Sequence, residues 1–350
     1  MRRALAIGLA VLAGLLGGAG RSEAQYPAPQ QGNWIACDFR FHTGEVLPEL
    51  RIHYTTVGAP TGIPVLVLHG TGNSAARLLD KEFGGELFGP GQPLDATRYF
   101  IVMPDAIGHG SSSKPSDGLR ARFPAYNYDD MVLAQYRLIT EHLRIRHLGL
   151  VLGTSMGGMH AWMWGYTYPD FVDAILPLAS EPAAMAGRNW MLRKMVIDAI
   201  RQDPGWKGGA YEQQPTEWRR FQVFFNLATT GGALAMFTTS PSRAQADAEL
   251  ARLLAQTPTG DTNDVLYQFD SARDYDPTPH IGRISARVLA INATDDERNP
   301  PELGVMEQAM GRLKNGKYVL LPVTGLNRGH SSTYNAALWK NHLTEFLSGR

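Results

Sequence analysis

An excess of charge of either sign is the first thing this 350-residue chain lacks: lysine plus arginine and aspartate plus glutamate each number 33, so the formal net charge is zero. No basic field exists to attract nucleic acid or an anionic membrane surface, which favours a small, neutral or weakly charged substrate. Cysteine is nearly absent. With Cys37 alone no intramolecular disulfide can form, and its expected role is that of a small, partly buried apolar residue. Neither His-Glu-x-x-His nor a pair of cysteines occurs, and His142 and His147, five positions apart on an expected helix, do not share a face. A Walker-type glycine loop is missing as well, so neither metal nor cofactor is expected. Long apolar runs are also lacking. The longest, Ala4 to Ala19, is diluted by glycine and falls short of the roughly 20 residues that span a bilayer.

That run has a different use. Met1-Arg2-Arg3 ahead of it and Ser22-Glu23-Ala24 behind it supply the charged region and the small-residue site of a secretory signal over residues 1–24, cut before Gln25. The expectation is a periplasmic or secreted protein with no stable membrane span once the signal is removed.

What the chain does contain is Gly153-Thr154-Ser155-Met156-Gly157, directly behind the apolar run Leu148 to Leu152 and ahead of Gly158-Met159-His160-Ala161-Trp162-Met163. Strand, sharp turn and helix in that order make a nucleophile elbow, in which the glycines leave room for a strained turn that exposes the Ser155 hydroxyl. The Met156 amide then points at a developing oxyanion. Acyl chemistry follows, provided that a base and an acid lie later in the chain.

Both are found there. His330, in the polar loop Leu326 to Ser332 ahead of an expected last helix Tyr334 to Leu347, is the candidate base, and the order Ser, acid, His is that of α/β-hydrolase folds. The acid should follow a strand, here Ala286 to Ala293, and the loop Thr294-Asp295-Asp296-Glu297-Arg298-Asn299-Pro300 offers Asp296 by its Asp-x-x-x-Pro spacing, with Asp295 as the rival. The second oxyanion donor is expected from the loop His69-Gly70-Thr71-Gly72 behind the strand Pro64 to Leu68, and the Thr71 amide is the candidate. His69 is assigned to bracing that loop.

Strands alternate with helices as far as residue 180, which argues for a mostly parallel sheet covered on both faces. Residues 25–34 read as a flexible mature N-terminus, Phe39 to Phe41 and Leu50 to Val57 as antiparallel edge strands, Tyr99 to Met103 and Phe171 to Leu178 as further strands, and Asp129 to Ile139 as an amphipathic helix. From Glu181 to His280 only helices broken by proline and glycine are expected. The resulting division is residues 25–180 as the first part of an α/β-hydrolase core, 181–282 as an inserted helical cap and 283–350 as the second part of the core. Cap aromatics such as Trp190, Trp206, Trp218, Phe221, Phe224, Phe225 and Phe237 are assigned chiefly to packing the cap helices.

The elbow and its surroundings resemble the homoserine O-acetyltransferase branch of the α/β-hydrolase superfamily. Asp129 to Gln135 is similar to that branch's helix before the elbow, Ser155 to Met159 to its elbow, Tyr168 to Val172 to the end of the following helix, and Ala199 to Tyr211 to its cap entrance. The resemblance implies Ser155 as nucleophile, Asp296 as acid and His330 as base. Two departures bear on the acceptor. The branch carries an aspartate directly after the catalytic histidine, to hold an amino acid's ammonium group, and Ser331 stands here instead. Pro104 to Pro115 also reads as a generic hydrolase turn where the acetyltransferases have a glycine-rich segment. The expected function is a serine hydrolase that cleaves a small ester or related acyl substrate through an acyl-enzyme on Ser155. The alternatives are an O-acyltransferase that passes the acyl group to an alcohol, and a non-catalytic ligand-binding protein on the same fold. A small-molecule acyl substrate is the partner expected, and a homodimer is open to the chain.

Overall fold

A computed structural model describes residues 26–256 and 260–349. The expected signal at residues 1–24 lies outside the described residues. Eight strands form one sheet: β1 (Gln30–Arg40), β2 (Val46–Val57), β3 (Ile63–Leu68), β4 (Tyr99–Pro104), β5 (Leu150–Thr154), β6 (Ala174–Leu178), β7 (Arg287–Ala293) and β8 (Gly316–Leu321). Their spatial order is β1-β2-β4-β3-β5-β6-β7-β8, with β1 and β2 antiparallel and the six strands from β4 to β8 parallel. The strand order reverses at β3, beside β5, and open α/β sheets hold their ligands outside the carboxyl ends of the strands near such a point.

The inner parallel strands are mostly apolar because helices cover both faces, with Thr154 and Asn292 as buried polar exceptions near their carboxyl ends. Alternate residues feed two cores: Leu66, Leu68 and Val102 pack with Trp162 and Trp164 on one face, whereas Val65, Val67 and Ile101 pack with Phe83 and Trp339 on the other. Between β6 and β7 the described residues hold the helices Gly187–Gln202, Arg219–Thr229, Ala233–Thr239, Arg243–Ala255 and Thr262–Asp270 and no strand. This insert has an apolar cluster of its own, made by Val196, Ile197, Ile200, Trp218, Phe225, Leu266 and Phe269. Among the described residues no helix is long and apolar enough to cross a membrane.

Four expectations are corrected. The stretch read as flexible over residues 25–34 already enters β1 at Gln30, where backbone pairing with Thr56 needs no apolar side chain. Cys37 is exposed, because it lies on the outer face of this edge strand. The strand expected from Phe171 begins only at Ala174, after an isolated bridge from Val172 to Leu148. The last helix is shorter than expected, since two 3-10 turns, Ser331–Tyr334 and Ala336–Leu338, precede the α-helix Lys340–Leu347. Asn335 separates the turns with a non-helical backbone (φ −89°, ψ 90°).

Candidate active site

Ser155 sits between the carboxyl end of β5 and the helix Met156–Thr167, with φ 56° and ψ −116°. A non-glycine residue at positive φ costs of order 1–3 kcal/mol and persists only where its surroundings enforce it. They do so here by close packing of the backbone. A Cβ on Gly153 would lie 2.1 Å from the Gly157 carbonyl oxygen, and one on Gly157 would lie 2.2 Å from the Leu68 carbonyl oxygen. Only glycine fits at either position. The Ser155 N–H donates to Leu178 O at 2.8 Å, which ties the turn to β6.

The Ser155 Oγ lies 2.8 Å from His330 Nε2, and His330 Nδ1 lies 2.8 Å from Asp296 Oδ2 and 3.0 Å from Oδ1. An ionised carboxylate can only accept, so Nδ1 carries the proton and Nε2 is free to take the serine's. All three residues are buried, with exposures of 5% for Ser155, 6% for His330 and 2% for Asp296. Burial by itself would raise the Asp296 carboxyl, but the His330 charge and hydrogen bond, the Asn299 amide (2.8 Å) and the Arg298 N–H (2.9 Å) together hold it below its ordinary value. His330 is shifted downward, first by burial and further by the positive charges of Arg298 and Arg193, against the opposing pull of Asp296. The imidazole is therefore neutral at pH 7.

Asp295 faces elsewhere. Its carboxylate accepts from Asn327 Nδ2 at 3.2 Å and from the Gly329 N–H at 3.1 Å, so it braces the loop that carries His330 without touching the imidazole. The structure thus brings Asp296, of the two rivals, to the base.

The loop after β3 adjoins the serine: a Cβ on Gly70 would lie 3.2 Å from Ser155 Cβ. His69 is buried and neutral, lowered chiefly by burial, and its Nε2 accepts the Ala106 N–H at 3.0 Å while Nδ1 donates to Gly70 O at 2.9 Å. The Gly70 N–H is used by the Tyr334 hydroxyl at 3.0 Å, and Asn73 Nδ2 donates to the same oxygen at 3.2 Å. The N–H groups of Thr71 and Met156 donate to no acceptor among the described residues. Two free donors beside a nucleophilic hydroxyl can receive negative charge developing on a carbonyl oxygen.

A cavity of about 590 Å³ is lined by Thr71, Gly72 and Asn73 of the loop after β3, by Arg193, Phe225 and Phe269 of the helical insert, and by Arg298. Trp218 and Phe225 pack the insert and also line this cavity, while Phe224 (51%) and Phe237 (69%) are exposed. Sequence reasoning missed Asn299, Tyr334 and both arginines. A signal for Arg193 existed: it shares the helix face of Val196, Ile197 and Ile200, and a charge in an apolar stripe at that spacing is unusual. Asn299 and Tyr334 have no such local signal.

A serine on a strained strand-to-helix turn at the carboxyl ends of parallel strands, backed by a buried histidine and carboxylate, is the architecture of the nucleophile-elbow enzymes. The chain belongs to the alpha/beta hydrolase fold family, whose model matches residues 63–325. Within it the chain resembles the homoserine O-acetyltransferases. The homoserine O-acetyltransferase of Thermobifida fusca is 38% identical over an alignment 208 residues long, which covers 53% of this chain and 54% of that protein. The chain thus spans about half the length of such curated relatives. Among solved structures, homoserine O-acetyltransferase from Bacillus anthracis superposes with a TM-score of 0.79 at 21% identity, covering 91% of this chain and 97% of that one. The acetyl esterase MekB superposes with a TM-score of 0.77 at 22% identity, covering 91% and 97%. At such identities the superpositions speak for the fold alone.

Proposed function

We propose that the protein is a serine hydrolase that cleaves a small ester or related acyl compound through an acyl-enzyme on Ser155. The observation that carries this reading is the buried, hydrogen-bonded series Ser155–His330–Asp296, with Oγ to Nε2 at 2.8 Å and Nδ1 to Oδ2 at 2.8 Å. His330 Nε2 takes the hydroxyl proton as Oγ attacks the acyl carbonyl, and Asp296 holds the ring in the productive tautomer and stabilises the imidazolium. The Met156 and Thr71 amides receive the oxyanion, an effect worth about 3–4 kcal/mol per donor in comparable sites. The imidazolium returns its proton to the leaving alkoxide, and the alcohol departs. Water, deprotonated by His330, then attacks the acyl carbon and releases the acid and free Ser155.

Water is favoured as acceptor by Ser331, which offers no carboxylate to hold an amino acid's ammonium group. The signal-like residues 1–24 favour it too, since a periplasmic or secreted location, part of this proposal, would separate the enzyme from cytoplasmic acyl donors. Residues 181–282 act in this reading as a cap that shapes access to Ser155.

Transfer to an alcohol is the second reading, favoured by the 38% identity to an acetyltransferase. One experiment separates the two: purified protein is given an acyl ester with and without candidate alcohols, and free acid and transfer product are both measured. Alcohol-independent acid release at turnover rates is the expected result. Transfer product without comparable free acid would replace hydrolysis by transfer. Labelling by a serine-directed phosphonate is expected in the wild type and absent in Ser155→Ala; a wild type that stays unlabelled would leave a ligand-binding protein as the remaining reading.

A further inference from the structure

Arg193 and Arg298 line the same cavity as Thr71, and among the described residues neither has a carboxylate within ion-pair distance. Arg193 is only 1% exposed, its Nε donates to Asn189 Oδ1 at 3.1 Å, and its Nη1 has no partner. Arg298 donates from Nε to Thr229 Oγ1 at 3.1 Å and from Nη2 to Thr230 Oγ1 at 2.7 Å, which fixes the guanidinium and leaves Nη1 without a partner among the described residues. Each guanidinium lies over a phenyl ring, Arg193 over Phe269 at 5.7 Å and Arg298 over Phe225 at 4.6 Å from the centroid. A buried guanidinium without a paired counter-ion is costly, and burial together with the Arg193 charge brings Arg298 down to about 9 against the opposing pull of the Asp296 carboxylate. The two carboxylates of the same cavity are already engaged, Asp264 by Ser116 and Asp261 by Tyr211 and Gln214. Neither forms an ion pair with Arg193 or Arg298.

We propose that Arg193 and Arg298 form an anion-recognition subsite, and that the ester attacked by Ser155 carries a carboxylate that docks there. The substrate class is then a hemiester of a dicarboxylic acid or an ester of a hydroxy acid, which rests on the acyl-enzyme reading above. Two fixed guanidinia, each with an end N–H to spare, match the two oxygens of a planar carboxylate. Bound there, the carboxylate supplies the missing counter-charge and anchors the ester with its carbonyl near Thr71 and Met156.

The test uses the purified full chain and two matched pairs of esters. Mono-4-nitrophenyl glutarate against 4-nitrophenyl valerate places the charge on the acyl side, and 4-acetoxybutyrate against butyl acetate places it on the alcohol side. In at least one pair the anionic member is expected to have a kcat/KM higher by about tenfold or more. In Arg193→Gln and in Arg298→Gln that ratio is expected to fall by about tenfold, mainly through KM. Should Arg193→Gln fail to fold, Arg193→Lys keeps the charge but loses the fork, and Arg298→Gln tests the subsite from a different segment. Glutarate, glutaramide and inorganic phosphate serve as binding probes in a thermal-shift assay, where only glutarate is expected to stabilise the wild type and not the variants. Neutral esters hydrolysed as well as charged ones in both pairs, a charge preference that survives both substitutions, or stabilisation by phosphate and not by glutarate would each overturn the proposal. These failures differ from failure of the acyl-enzyme reading, in which no ester is cleaved and no phosphonate reaches Ser155 whatever glutarate does.

Discussion

Asp295 accepts the Gly329 N–H at 3.1 Å while its neighbour Asp296 accepts His330 Nδ1 at 2.8 Å, so adjacent carboxylates hold the base loop and the base itself. The two have separable effects. Asp296→Asn replaces an acceptor by a group that cannot enforce the Nδ1–H tautomer, and turnover is expected to fall by about 10⁴-fold with the fold intact. Asp295→Asn is expected to cost far less in turnover and to appear as a lower melting temperature. Steady-state kinetics and thermal unfolding of the pair check this, and the reverse ranking in turnover would move the acid to Asp295.

The pH dependence follows from the downward shift of His330. Its neutral form is the base, so kcat/KM is expected to rise with pH through a value below the ordinary histidine 6.5 and to be level through neutrality. The charges of Arg298 and Arg193 contribute to the lowering, so Arg298→Met should move the acidic limb to higher pH. A pH profile of kcat/KM for a neutral ester reads both, and a limb unmoved or moved to lower pH would contradict the assignment.

Tyr334 links the C-terminal segment to the loop after β3. Tyr334→Phe removes the acceptor of the Gly70 N–H and leaves that buried group unpaired, at a cost of about 1–3 kcal/mol. Because Thr71 is the next residue, kcat is expected to drop by about tenfold with KM little changed. Urea unfolding and steady-state kinetics are the measurements, and an unchanged kcat would detach Tyr334 from the loop's geometry.

Which parts of this site were legible in the sequence has a physical explanation. The elbow was, because close backbone approach at Gly153 and Gly157 excludes every side chain and so prints itself on the sequence. The meeting of Asp296 and His330 at Ser155 was legible because the three follow the chain in a fixed order, two of them directly behind strands. Arg298 was visible as a residue but mute as to role, since what it faces, Thr229, Thr230 and Phe225, comes from a distant segment of the chain. The start of β1 was hidden for a related reason: an edge strand that pairs through its backbone tolerates Gln30, Gln31 and Gly32.

The separate apolar cluster inside the helical insert has a further consequence. Val196, Ile197, Ile200 and Leu266 belong to a cluster that shares no residue with the sheet's two cores, so this part of the insert's interior can be rewritten while the elbow keeps its shape. The insert meets the core at polar points such as Ser116 to Asp264 and Gln268 to Gly108, and at apolar ones where Tyr267 and Tyr275 pack on Tyr126 and Tyr128, so an exchange that keeps these contacts would leave the elbow in place. Descendants of one scaffold could exchange the insert, and with it the compounds they accept, while keeping the chemistry at Ser155.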